Sequence, residues 1–343
     1  MESESRPSLV PLLFRPVYKD YLWGGTRIAS RFGREGTPEP CAESWEVSAH
    51  PDGMSVGDGG PFAGRTLAEL CETYGAELLG SWTEGRRFPL LVKLIDASKR
   101  LSVQVHPSDE GAEKHGGEAK TEMWYFLDAP EGAAVCAGLK KGVTPRVFAD
   151  AVKEKSVASL LRTVKAEAGK ALYIPGGLVH AICEGCFVLE VQQSSNTTWR
   201  VYDWDRVGAD GKPRELHVAR AAEVIDWHAP EMSLSTPYAM PPSSPDNLRE
   251  RVLRSDYFTM ERWTLRSPEA FDQDGRSFRI FFALDGDAEV RAPDGSATRV
   301  PRGRSCLVPA SLGKCSAAPA PGAETPVRLA SVELSRKCGS RRP

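Results

Sequence analysis

Ser102-Val103-Gln104-Val105-His106-Pro107 reads as a short strand whose alternation sets Gln104 and His106 on one face and Val103 and Val105 on the other. An amide oxygen beside an imidazole is half of a metal site. Lys120-Thr121-Glu122-Met123-Trp124-Tyr125-Phe126 follows, with Lys120 and Glu122 sharing a face at the start of an aromatic run that reads as a buried strand. Further on, residues 169–180 spell a glycine turn, a short strand Ala171-Leu172-Tyr173-Ile174, a Pro175-Gly176-Gly177 turn and His180 at the start of the next strand. Glu122 and His180 supply a third and a fourth ligand.

Two imidazoles, one carboxylate and one neutral amide oxygen suit zinc, one per chain, with manganese, cobalt or iron(II) as other occupants, because nitrogen and oxygen ligands without thiolate select weakly. A dication neutralised only by Glu122 keeps a formal charge of about +1. Such a site favours an anionic ligand or intermediate.

Outward from these stretches the chain is rich in strands: Phe88 to Asp96, Met123 to Leu127, Ala133 to Gly138, Phe187 to Gln193 and Thr197 to Asp203. Gly, Pro and Asp turns join them in place of regularly alternating helices, which predicts a mainly β fold, an antiparallel sandwich or barrel. Two helices read as insertions, Thr66 to Leu79 and Thr144 to Val164, from their apolar spacing and from Pro145 near the second start. A Pro- and Ser-rich linker covers residues 236–246. Beyond it, Ser277 to Leu284, Asp287 to Arg291, Ala297 to Val300 and Ser305 to Pro309 form a second β unit with no histidine. The predicted division is a metal-binding domain over residues 1–235, a degenerate one over 247–334, and a basic frayed tail over 335–343.

A chain of 343 residues, 41 % hydrophobic and 26 % charged, supports two packed cores. The net charge of −2 gives no general attraction to nucleic acid or to an anionic membrane, so any anion is bound locally. The polar stretch Met1 to Pro7 lacks a signal sequence and no run approaches the roughly 18 apolar residues needed to span a bilayer, which predicts a cytoplasmic protein. Eight irregularly spaced cysteines read as reduced thiols. Cys183-Glu184-Gly185-Cys186 has knuckle or redox spacing but no partner pair, and reads as a hairpin turn. Of the other histidines, His50 and His115 read as solvated loop residues, and His217 and His228 as packing or surface groups.

Taken in order, Tyr21-Leu22-Trp23-Gly24-Gly25, the stretch Ala42 to Ser48, the metal stretches and Thr197-Thr198-Trp199-Arg200-Val201-Tyr202-Asp203 resemble the type I mannose-6-phosphate isomerases of the short bacterial form, in the cupin superfamily. The resemblance runs from about Leu13 through Trp227, and more loosely beyond; Trp199 stands where tyrosine is common. It implies two cupin jelly-roll barrels, the second degenerate, and a zinc enzyme interconverting mannose 6-phosphate and fructose 6-phosphate. It implies metal ligands at Gln104, His106, Glu122 and His180, an active-site arginine at Arg200, and pocket positions at Ser102, Lys120 and Glu190, with Trp23 near the mouth.

That reaction moves a proton between carbons 1 and 2 of the open sugar through an enediolate, and needs an electrophile, a base and a phosphate anchor. Lys120, Glu190 and a metal-bound water are candidate proton carriers; desolvation would raise Glu190 toward the range of a base. Arg200 suits phosphate or oxyanion, with Ser102 and Lys120 completing the cradle. The partner is a small sugar phosphate, the chain a monomer or homodimer. Competing readings are a metal-dependent cupin oxygenase and a non-catalytic sugar-binding or regulatory cupin.

Overall fold

The alternating segments form antiparallel sheets, and the computed structural model describes them over residues 6–85, 87–208 and 211–336. Two compact units result, and neither is continuous in sequence. Tyr18–Trp45 and Leu90–Thr236 make one; the described parts of Met1–Val17, Glu46–Pro89 and Pro237–Pro343 make the other. The compact units thus differ from the predicted break at residue 235. The cause is pairing in the second unit: strand Leu12–Arg15 takes its place beside Ser305–Val308, Leu12 opposite Leu307. Phe88 likewise stacks on Phe278 at 4.6 Å.

The unit containing the metal motifs has two sheets. The six-stranded one runs Ala171–Ile174, Glu122–Asp128, Phe187–Gln193, Leu90–Asp96, Glu43–Ser48, Val17–Lys19; the five-stranded one runs Trp199–Tyr202, Val103–Val105, His180–Ile182, Ala134–Leu139, Leu161–Lys165. Trp124, Phe126, Leu172 and Val188 from the first sheet and Val135, Ala137 and Ile182 from the second share one core. The outer face of the five-stranded sheet, including Val103, Val105, Ala181 and Val201, is covered by Phe148 of helix Pro145–Lys153 and by Ala221 and Val224 of helix Val218–Val224. Val103 and Val105 therefore face the helices, and Gln104 between them faces the interior.

The second unit pairs an eight-stranded with a four-stranded sheet around Trp263, Phe271, Phe281, Val290 and Leu329. Among the described residues neither unit closes into a barrel, so the jelly roll takes its double-sheet form. No helix there is long and apolar enough to cross a membrane.

Three expectations shift. The helix from Thr66, closed by a capping box with Glu69, ends at Tyr74 because Gly75 takes φ 49°, and a separate turn Ala76–Leu79 follows. The helix from Thr144 stops at Lys153; Lys155 adopts φ 58°, and Leu161–Lys165 alternates as a strand beside Ala134–Leu139. Part of the linker, Tyr238–Met240, is an edge strand, with Tyr238 opposite Arg251. The predicted tail lies outside the described residues from position 337 on.

Candidate metal centre and pocket

Strand register sets the site. Across the five-stranded sheet His180, Gln104 and Arg200 stand in one row, Gln104 directly opposite each of the other two. In the six-stranded sheet Glu122 lies opposite Ile174 and Gln192, and two residues along, Glu190 stands between Trp124 and Lys93. Because alternate residues share a face, Glu122 and Trp124 point the same way, toward the row from the other sheet. His106 joins them from just past the strand Val103–Val105. Its place is set by the Pro-Gly-Gly turn: Gly177 N donates to His106 O at 2.7 Å, and a Cβ on Gly176 would lie 2.5 Å from Ser108 Cα. Only glycine fits at 176.

The ligand atoms of His106, Glu122 and His180, all three buried, lie within 4.8 Å of one another. Glu122 Oε2 is 3.6 Å from His106 Nε2 and its Oε1 3.5 Å from His180 Nε2; the Gln104 amide is 3.4 Å from His180 Nε2. Metal bonds of about 2.1 Å in a tetrahedron require ligand separations of about 3.4 Å. Tautomers fit as well. His180 Nδ1 lies 2.8 Å from Leu178 O, which can only accept, so Nε2 keeps its lone pair; Lys120 Nζ, which can only donate, lies 3.0 Å from His106 Nε2. Gln104 now turns Oε1 to the Ser102 hydroxyl, which donates at 3.0 Å; a half-turn of the isosteric amide brings oxygen to the cluster and gives nitrogen to Ser102. Lys120 Nζ also donates to Glu122 Oε2 at 2.5 Å. An ammonium thus sits against two of the candidate ligands, His106 and Glu122, which marks the centre as a place for positive charge.

Around it is a cavity of about 340 Å³. Ser102, Lys120, Glu190, Arg200 and Trp23 all line it, and Trp23 packs on Tyr21 at 5.6 Å between ring centroids. Arg200 Nε donates to Ser102 Oγ at 3.3 Å and its Nη1 to Glu215 O at 2.9 Å. Among the lining residues that escaped the sequence reading as site residues are Lys93 and Glu43. Lys93 Nζ is 3.1 Å from Glu190 Oε1 and 3.3 Å from Glu43 Oε2, and all three side chains are buried. The available signal was a lysine inside the apolar run Leu90–Asp96, since a buried ammonium requires carboxylate partners.

Lys93 also reverses the expectation for Glu190. Burial alone would raise that carboxyl, but Lys93, Lys120 and the Trp124 indole, which donates to Oε2 at 2.9 Å, hold it below its ordinary value. Glu122 goes the other way, to about 7, pushed up by burial and by Glu190 against the pull of Lys120. Burial lowers His180 to about 4 and His106 well below the usual imidazole value, so both imidazoles are neutral.

The remaining candidates lie elsewhere. His50 is buried rather than solvated, because its Nδ1 accepts from Asp52 N at 3.1 Å and closes a 3-10 turn. His115 pairs with Glu223 at the surface. His217 packs against the site's edge, accepting from Arg200 N at 3.3 Å. Cys183 and Cys186 are both free thiols, and the turn holding them links strands of two different sheets.

Comparison with known proteins fits this geometry. Residues 12–137 match the family model for the phosphomannose isomerase type I catalytic domain, and residues 249–317 that for the mannose-6-phosphate isomerase cupin domain. The probable mannose-6-phosphate isomerase GmuF of Bacillus subtilis is 36 % identical over 313 residues, covering 89 % of this chain and 95 % of that protein. Mannose-6-phosphate isomerase ManA of the same organism is 36 % identical over 307 residues, covering 89 % and 94 %. The crystal structure of the mannose 6-phosphate isomerase from Bacillus subtilis superposes with a TM-score of 0.83 at 32 % identity, over 94 % of this chain and 99 % of that one. On this likeness along nearly its whole length, the chain belongs to the type I mannose-6-phosphate isomerase family.

Proposed function

We propose that this chain interconverts mannose 6-phosphate and fructose 6-phosphate at the pocket between its six- and five-stranded sheets, with zinc held by Gln104, His106, Glu122 and His180. The observation that carries the reading is a charge imbalance. The inner end of the pocket sets three carboxylates, Glu43, Glu122 and Glu190, against two ammonium groups, Lys93 and Lys120. It lacks a cation.

A dication bound there supplies Lewis acidity and a template for the two sugar oxygens. The chain's own groups carry the proton. It leaves carbon 2 of the open aldose and returns at carbon 1, while the hydroxyl proton on oxygen 2 passes to oxygen 1. Glu190, kept ionised beside Lys93, lies 3.8 Å from Lys120 Nζ, and we assign the shuttle to this acid–base pair. Arg200 anchors anionic oxygen, with Ser102 fixing the plane of its guanidinium. Trp23 forms part of the wall at the mouth. The free thiols support a cytoplasmic site of action.

Nuclear magnetic resonance of mannose 6-phosphate in deuterated water, with zinc-loaded protein, tests the assignment. Fructose 6-phosphate should appear with deuterium exchange at carbon 2, cease after chelation and return with zinc. Full turnover by verified metal-free protein contradicts the reading. Glu190→Gln should abolish exchange while retaining zinc, and Arg200→Ala should lower turnover more than folding stability.

A further inference from the structure

The arginines that line the pocket carry the opposite imbalance. Arg200 directs its described side-chain bonds to Ser102 Oγ and Glu215 O, neither of them charged, and a second guanidinium, Arg214, lines the same cavity. Arg214 arrives on the segment that follows the strand Trp199–Tyr202. That segment folds back on itself, Gly208 N donating to Lys212 O at 2.7 Å, and returns along Arg200, with His217 N donating to Arg200 O at 2.7 Å. Asp203 takes one edge of Arg214: Nε donates to Oδ2 at 2.8 Å, and Nη2 pairs with Oδ1. Nη1 has no hydrogen-bond partner among the described residues, and the side chain is 32 % exposed. Asp203 is already shared between Arg214 and Arg206, and among the described residues Arg200 bonds to no carboxylate, so this part of the pocket lacks an anion. Burial, and after it the nearness of Arg214, lowers the Arg200 guanidinium, as expected for two cations awaiting a counter-ion.

We propose that Arg214 is a substrate-positioning residue, which with Arg200 forms a two-guanidinium clamp for the phosphate of the sugar phosphate and so selects phosphorylated over neutral sugars. This rests on the isomerase reading and extends it. A phosphate monoester carries about −1.5 to −2 charges and three acceptor oxygens, which two forks satisfy and one does not. Asp203 holds Arg214 in plane, and Arg206, which also pairs with Asp203, turns its Nη1 to Arg100 O and does not line the cavity. Arg206 is therefore the internal control.

The test is steady-state kinetics and competitive inhibition by inorganic phosphate on zinc-loaded wild type, Arg214→Ala, Arg214→Lys and Arg206→Ala. Arg214→Ala should raise KM for mannose 6-phosphate and weaken inhibition by phosphate, each by about 10- to 100-fold, the weight of one or two charge-assisted hydrogen bonds. Its kcat should stay within a few-fold of wild type, Arg214→Lys should fall between, and Arg206→Ala should resemble wild type. Unchanged KM and phosphate inhibition in Arg214→Ala overturn the clamp, as does an equal effect of Arg206→Ala, which would show a merely structural role. If wild type does not turn over mannose 6-phosphate, the isomerase reading fails by itself. Calorimetric titration of the same proteins with inorganic phosphate then still decides the clamp.

Discussion

Replacing Lys93 with methionine removes one buried ammonium and, among the described residues, leaves Glu43 with only the Trp45 indole and Glu190 with the Trp124 indole and Lys120 at 3.8 Å. Lys93 Nζ lies 3.1 Å from Glu190 Oε1 and 3.3 Å from Glu43 Oε2, and its side chain is 8 % exposed. At an effective dielectric of about 20, each contact is worth about 5 kcal/mol of attraction, most of it offset by the desolvation of the three ions. Removing the partner forfeits the attraction and keeps the desolvation, so Lys93→Met should cost about 3–5 kcal/mol. At about 2–4 °C per kcal/mol for a cooperative unit of this size, the melting transition should fall by roughly 10 °C. The same pairing pushes the lysine upward against its burial, so it is charged at any working pH. Urea denaturation of metal-depleted protein, which takes the metal's own contribution out of the comparison, should show a lower midpoint with unchanged slope. Glu190→Gln added to Lys93→Met should recover part of the loss, because one stranded charge is gone. A loss below 1 kcal/mol for Lys93→Met, or no recovery in the double variant, refutes the account of Lys93 as the counter-ion that holds Glu190 ionised.

Gly176→Ala should destabilise the protein by about 1–3 kcal/mol, because the new Cβ meets the Ser108 backbone at 2.5 Å. The shift also moves His106 relative to His180, so calorimetric zinc affinity should fall by about 10-fold or more. Glu261 predicts acid behaviour in the other unit: burial would raise its carboxyl, but Arg249, Trp263 and Arg251 bring it down to about 2. Its folded value lies below the unfolded value of about 4.3, so the unfolded state binds the extra proton; about 3 kcal/mol of stability, present above pH 4.3, is lost as pH falls toward 2. Urea midpoints between pH 6 and pH 3 should therefore drop less steeply in Glu261→Gln than in wild type.

The ligand stretches were legible because each carries a periodic signal. Period-two alternation sets Gln104 against Val103 and Val105, and the outer valines pack under helices as that pattern requires. Ala171–Ile174 and Phe187–Gln193 occur with the bounds their composition predicts. What stayed hidden depends on register, which no local pattern contains. Nothing near Glu190 in sequence announces that Lys93, 97 positions earlier, stands opposite it. Nor does the polar segment 203–217 show that it doubles back to bring Arg214 beside Arg200. The strand Leu12–Arg15 was hidden for the same reason: its partner lies near the far end of the chain.

Among the described residues the candidate metal group falls in one β unit, and a comparison of the two shows why. Each has a buried glutamate two positions before a buried tryptophan on a strand, Glu122 and Trp124 in one, Glu261 and Trp263 in the other. Arg249 donates Nε and Nη2 to Glu261 Oε2, Arg251 does the same to Oε1, and the Trp263 indole also donates to Oε2 at 2.8 Å. Arg249 then stacks over Trp263, 4.5 Å from the ring centroid. Every strong acceptor direction of Glu261 meets a fixed donor of the chain itself, so the carboxylate is part of the packing. Around Glu122 the count runs the other way, with two imidazole lone pairs, a rotatable amide and a surplus carboxylate against a single lysine within bonding distance. A pocket that sets a surplus carboxylate beside two neutral imidazoles, and beside Ser102 an arginine with no carboxylate partner among the described residues, fits the two halves of the proposed ligand set, a metal and a phosphorylated sugar.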